Sequence, residues 1–134
     1  MNYKNIENQE MEIEEIENRV EDNEQKMEEV SQRLSAIEQA INDLSEDQEV
    51  AESVEKNKEL AEQEKQEVTR EGEQIAQELR TVTEQIQEMK NENENSVRVL
   101  SQLREAGEDV EEGEQIVSDR NTSLEDMNRK VEEL

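Results

Sequence analysis

Cysteine, histidine, proline, tryptophan and phenylalanine are absent from this sequence, and tyrosine occurs once, as Tyr3. Without histidine or cysteine there is little basis for transition-metal ligation, thiol chemistry or the commonest general base. The lack of cysteine also rules out disulfides, so the redox compartment goes unmarked. Positive charge is scarce: 15 Lys and Arg stand against 40 Asp and Glu, a net charge of −25. That surplus argues against direct binding to a nucleic-acid backbone. No apolar run has the length of a membrane span or a signal-peptide core. A cytoplasmic location is therefore the default expectation, with leaderless export as the alternative.

Apolar residues make up 29% of the 134-residue chain and aromatics 1%. A compact globular core is out of reach with so little to bury. Two classes fit the composition, a disordered acidic chain and an elongated helical coiled coil. The placement of the apolar residues decides between them. Ile6, Ile13, Val20, Met27, Leu34 and Ile41 are spaced by sevens. Gln9, Ile16, Asn23, Val30, Ile37 and Leu44 form a second row, and the two interleave by threes and fours. Only Gln9 and Asn23 are polar, a sustained heptad pattern in which polar slots can fix register.

A further row runs Val54, Ala61, Val68, Ile75, Val82, Met89, Ser96 and Leu103. Its companion is poor at first, with Val50, Asn57 and Glu64. It improves through Gly72, Leu79, Ile86, Asn93 and Leu100. Such a seam fits one long helix whose contact face drifts sideways. Val110, Val117, Leu124 and Val131 continue the row, joined by Met127 and Leu134.

With no proline, breaks must come from glycine and capping side chains. Ser45 followed by Gln48 fits a capping box, and the apolar phase shifts between Ile41 and Val54, which predicts a turn at about 45–47. Gly107 suits a left-handed helix end, with Asp109 and Glu112 available to cap the next helix. The alternative there is one unbroken helix, because the apolar row keeps its phase. The expected fold is all-α: a single elongated coiled-coil helical hairpin, with helices at about 3–44 and 48–106, a break at 107–111, and a third short helix at about 112–134. Equal rise per residue brings the first helix back to about residue 90 of the second. Val97, Val99, Leu100 and Leu103 would then fall to the third helix to cover.

Near the turn, Met27, Val30, Leu34, Ile37 and Ile41 face a segment poor in apolar residues. They are the expected partner-binding surface, while Ile75, Leu79, Val82 and Ile86 are expected to form the intramolecular seam. Gly72, on that seam, permits close helix approach, receives a bulky side chain from a partner, or is simply a tolerated glycine at a cost of about 1 kcal/mol. Carboxylates are too common for any pair of them to be informative. An EF-hand alignment from Glu108 to Gly113 puts Val110 at the third ligand position and fails. No metal, cofactor or catalytic residue is expected, and an enzyme is not. Asn121-Thr122-Ser123 matches a glycosylation acceptor, which matters only in a secretory setting. Glu29 with Arg33, Glu52 with Lys56 and Glu94 with Arg98 are spaced to support exposed helix. Tyr3 is expected to pack at the terminus. The initiating methionine suits a natural start, whereas the ending at Leu134 in mid-heptad suggests continuation.

The functional expectation is a non-enzymatic coiled-coil interaction module, acting as adaptor, scaffold or dedicated helical partner. A targeting or chaperone-like partner of a larger or secreted protein is included in that class. Its partner is a protein, as homo-oligomer or heteromer, with no direct nucleic acid and no membrane span. The alternative is an acidic nucleic-acid-mimicking inhibitor of a basic protein.

Overall fold

The computed structural model describes residues 3–134, with side chains from residue 5 onward. The packing expected of Tyr3 therefore lies outside the described side chains. The described residues form three helices: α1 (Tyr3–Asp43, 41 residues), α2 (Gln48–Glu105, 58 residues) and α3 (Glu111–Glu133, 23 residues). No strand occurs among the described residues, so the class is all-α. No helix among them is long and apolar enough to cross a membrane.

Helix is the local outcome because glutamate, glutamine, lysine, arginine and leucine lose little side-chain freedom in it, and no proline interrupts. The ends have specific causes. After α1, the Asp47 amide donates to the Leu44 carbonyl at 2.9 Å and closes a turn. Asp47 then caps α2: its carbonyl accepts from the Ala51 amide at 3.0 Å, and its Oδ1 accepts from the Val50 amide at 3.4 Å. The cap is thus Asp47 rather than Ser45. A carboxylate there also meets the positive end of the helix dipole.

The end of α2 is a Schellman motif. The Gly107 amide donates to the Arg104 carbonyl and the Glu108 amide to the Leu103 carbonyl, both at 3.0 Å. This pattern requires a left-handed residue, and Gly107 has φ +88°. The Asp109 carboxylate accepts from the Glu111 amide at 3.1 Å, while Val110 is the N-cap residue of α3.

Contacts divide the chain into two units, Asn18–Ala76 and Met1–Glu17 with Gln77–Leu134. Within Asn18–Ala76, cross-contacts run from Asn23–Val68 through Arg33–Glu64 to Glu38–Lys58. Numbers rise on α1 as they fall on α2, so the helices are antiparallel there. Val30, Leu34 and Ala61 form a buried cluster in this unit, with Ile37 packed against it, and Val68 and Ile75 are buried too. The other unit buries Ile6, Ile13 and Ile16 from α1, Val82, Ile86 and Met89 from α2, and Val117, Leu124, Met127 and Val131 from α3. Its core is aliphatic, as a chain without Phe or Trp must make it.

Candidate interaction surfaces

Three polar residues on the apolar seams, Gln9, Asn23 and Asn93, are each engaged by another helix. Asn23 donates from Nδ2 to the Val68 carbonyl at 2.8 Å. In an α-helix that carbonyl already accepts from the amide four residues on, here Gly72. A side chain at residue 72 would shield it, and a Cβ there would stand 3.1 Å from Asn23 Oδ1. Glycine at 72 therefore opens a carbonyl for a second donor, and Asn23 is seated over it. Gln9 is buried and donates from Nε2 to Gln85 Oε1 at 2.8 Å. Asn93, 3% exposed, donates from Nδ2 to the Val117 carbonyl at 3.2 Å. Asn93 was not singled out from sequence, although its place seven residues after Ile86 on the companion row was the available signal.

The five residues expected to meet a partner lie on the α1 seam. Val30 and Leu34 are 1% and 8% exposed and Ala61 is 0% exposed, while Met27, Ile37 and Ile41 are half-buried. The expectation that this stretch stays uncovered is thus not met at Val30 and Leu34. Alanine is the reason: its small side chain lets the helices approach until the larger residues fill against it. Charged side chains add cover with their aliphatic stems. Arg33 reaches across to Glu64 at 2.8 Å, not back to Glu29, and Lys58 approaches Glu38 at 3.9 Å. On the seam expected to be intramolecular, Ile75, Val82 and Ile86 are buried and Leu79 is half-buried.

Open apolar surface lies elsewhere. In the unit containing α3, Val97 is 51% exposed and Leu103 42%, with Val99 and Ile116 similarly open. The expectation that α3 would cover Val97, Val99 and Leu103 is therefore corrected. One helix covers one stripe of its neighbour, and α3 spends its contact on Asn93 and Leu100. At Gly113 a Cβ would stand 2.8 Å from Leu100 Cδ2, so α3 approaches α2 closely at this point. Beside this contact runs a groove of about 430 Å³, lined by Val97, Leu100 and Val117 with Asn93, Ser101 and Ser118 among the polar residues. Arg104 pairs with Glu114 at its edge.

Among the described residues, no group of three or more carboxylates is placed to hold a metal ion. Arg98, spaced to pair with Glu94, donates to Asn95 Oδ1 at 2.6 Å. Asn121, of the acceptor-like triplet, donates to Glu125 Oε1 at 3.2 Å within α3. No family model matches the chain, and no curated protein or solved structure matches it either.

Proposed function

We propose that this chain is a non-enzymatic interaction module that binds other proteins by coiled-coil helix packing, as an adaptor, scaffold or dedicated helical partner. The supporting observation is the set of large aliphatic side chains left open at Val97, Val99, Leu103 and Ile116. Each would contribute roughly 1.5–3 kcal/mol if fully buried. In an acidic chain with 29% apolar residues, leaving four of them open within twenty positions forgoes stability that a bound helix would supply. The seam polar residues fit the same function, since paired Gln9, Asn23 and Asn93 favour one register over its neighbours.

The net charge of −25 favours a second possibility, an acidic inhibitor that occupies the nucleic-acid site of a basic protein. The two separate by salt. Coiled-coil association persists when ionic strength is raised, whereas binding by charge alone collapses. Light scattering behind size exclusion, at 50 mM and 500 mM NaCl, is the direct test. A stable oligomer at both, or a monomer that captures an apolar helix at both, supports the interaction module. A monomer that binds only basic polymers, and only at low salt, would sink it.

A further inference from the structure

In the unit that contains α3, one stretch of α1 is seated without charge partners. From residue 5 to 17 the sequence carries six glutamates and no lysine or arginine. Thirteen residues of average charge for this chain would carry fewer than three net negative charges. Glu10, Glu12 and Glu17 stand beside the buried row of Ile6, Gln9, Ile13 and Ile16, at the positions that flank a heptad seam. The helices of the same unit are acidic too. Residues 77–92 of α2 hold four glutamates against Arg80 and Lys90, and residues 117–134 hold five carboxylates against three cations. None of the six α1 glutamates makes an ion pair or a side-chain hydrogen bond among the described residues.

The unit Asn18–Ala76 is built differently. There Lys26 lies 3.6 Å from Glu71, Arg33 lies 2.8 Å from Glu64 and Lys58 lies 3.9 Å from Glu38, each a pair between α1 and α2. Opposite charges thus draw those two faces together. Residues 5–17 are held by Ile6, Ile13 and Ile16, each almost fully buried, and by the 2.8 Å hydrogen bond from Gln9 to Gln85. Such contacts are short-ranged and salt does not screen them. The repulsion opposing them is long-ranged and salt does. The Debye length is about 30 Å at 10 mM salt and about 10 Å at 100 mM. Packed helices lie about 8–10 Å apart, so at 10 mM every charge of the unit bears on α1, whereas at 500 mM few do.

We propose that residues 5–17 of α1 form a charge-gated arm, seated on the rest of its unit when its glutamates are screened or neutralised and loosened when they are not. Its consequence is that Ile6, Ile13 and Ile16 are offered to other surfaces only while the charge is unscreened. The proposal concerns the fold and does not rest on the chain being an interaction module. It also sets the two units apart: salt should tighten the arm, while in Asn18–Ala76 it weakens the attraction between paired charges.

The test is amide hydrogen exchange of the full chain at 10 mM and 500 mM NaCl, at one pH and two protein concentrations. Exchange at residues 6–16 should slow at least fivefold at the higher salt, and exchange at residues 24–38 should not. A variant with all six glutamates changed to glutamine (E7Q, E10Q, E12Q, E14Q, E15Q and E17Q) should exchange slowly in the arm at both salts. A second readout uses the absence of cysteine. A spin label on Met11→Cys, a position 67% exposed, should broaden the methyl signals of Val82 and Ile86 at least twofold more at 500 mM than at 10 mM. Equal or faster arm exchange at 500 mM would overturn the proposal. So would equal slowing in residues 24–38, which would make it a general effect of salt on helix. Slowing that grows with protein concentration would assign it to association and overturn the arm as well.

Discussion

The seat of Asn23 over Gly72 allows a quantitative test of how the two-helix unit is held. Replacing a helical glycine by alanine ordinarily stabilises by about 1 kcal/mol, because alanine loses less backbone freedom on folding. At Gly72 the added Cβ would press on Asn23 Oδ1 at 3.1 Å. Asn23 is tethered at its other end by the 2.8 Å hydrogen bond to the Val68 carbonyl. Yielding to the methyl group strains or breaks that bond, whose net worth is about 1 kcal/mol. The two effects nearly cancel, so Gly72→Ala alone should change stability by less than about 0.5 kcal/mol. Asn23→Ala alone should cost about 1 kcal/mol; the Val68 carbonyl keeps its helical donor and is not orphaned. With Asn23→Ala in place the obstacle is gone, and Gly72→Ala should recover its full gain of about 1 kcal/mol. Urea unfolding of the four proteins, followed by circular dichroism at two protein concentrations, gives the coupling. A value near 1 kcal/mol is expected. A coupling below about 0.3 kcal/mol, the scatter of independent sites, would refute the seating of Asn23 on Gly72.

Gly107→Ala should destabilise by about 1–2 kcal/mol through the left-handed backbone alone, since nothing lies within 4 Å of a Cβ there. Gly107→Asn should lose less, and equal thermal melts for glycine and alanine would count against the Schellman end. Asn93→Leu should stabilise by about 1 kcal/mol, because it removes a buried oxygen with no partner while the Val117 carbonyl retains its helical donor. A lower urea midpoint would instead mean that Asn93 is satisfied. Ala61→Leu should cost about 1–3 kcal/mol by overfilling the contact with Val30 and Leu34. Unchanged stability by the same assay would show that the helices are not packed as closely as the buried alanine requires.

Much of the helical pattern was legible because a heptad reports burial directly. Every one of the twelve slots from Ile6 to Leu44 is buried or half-buried, the polar Gln9 included. The weak companion row also told its story: Val50, Asn57 and Glu64 are all exposed. Local chemistry was less secure. Ser45 had the spacing of a capping box, yet Asp47 is the residue with its backbone turned to cap α2. Spacing alone could not place Arg33, which has Glu29 one turn away on its own helix and Glu64 across the gap. The long arginine stem reaches either, and only the distance between helices selects one.

The sequence by itself determined the all-α class and which side chains seek one another's company. Those follow from composition and periodicity, which are properties of a single helix taken alone. Tertiary structure decided which of those side chains found cover. Val30 and Leu34 were expected to await a partner and are buried because Ala61 lets two helices close on them. Val97 and Leu103 were expected beneath α3 and are open because α3 is committed to Asn93 and Leu100. Burial is a property of pairs of surfaces and of where each helix ends. A heptad states the demand for a neighbour, and only the packed chain shows where none is supplied.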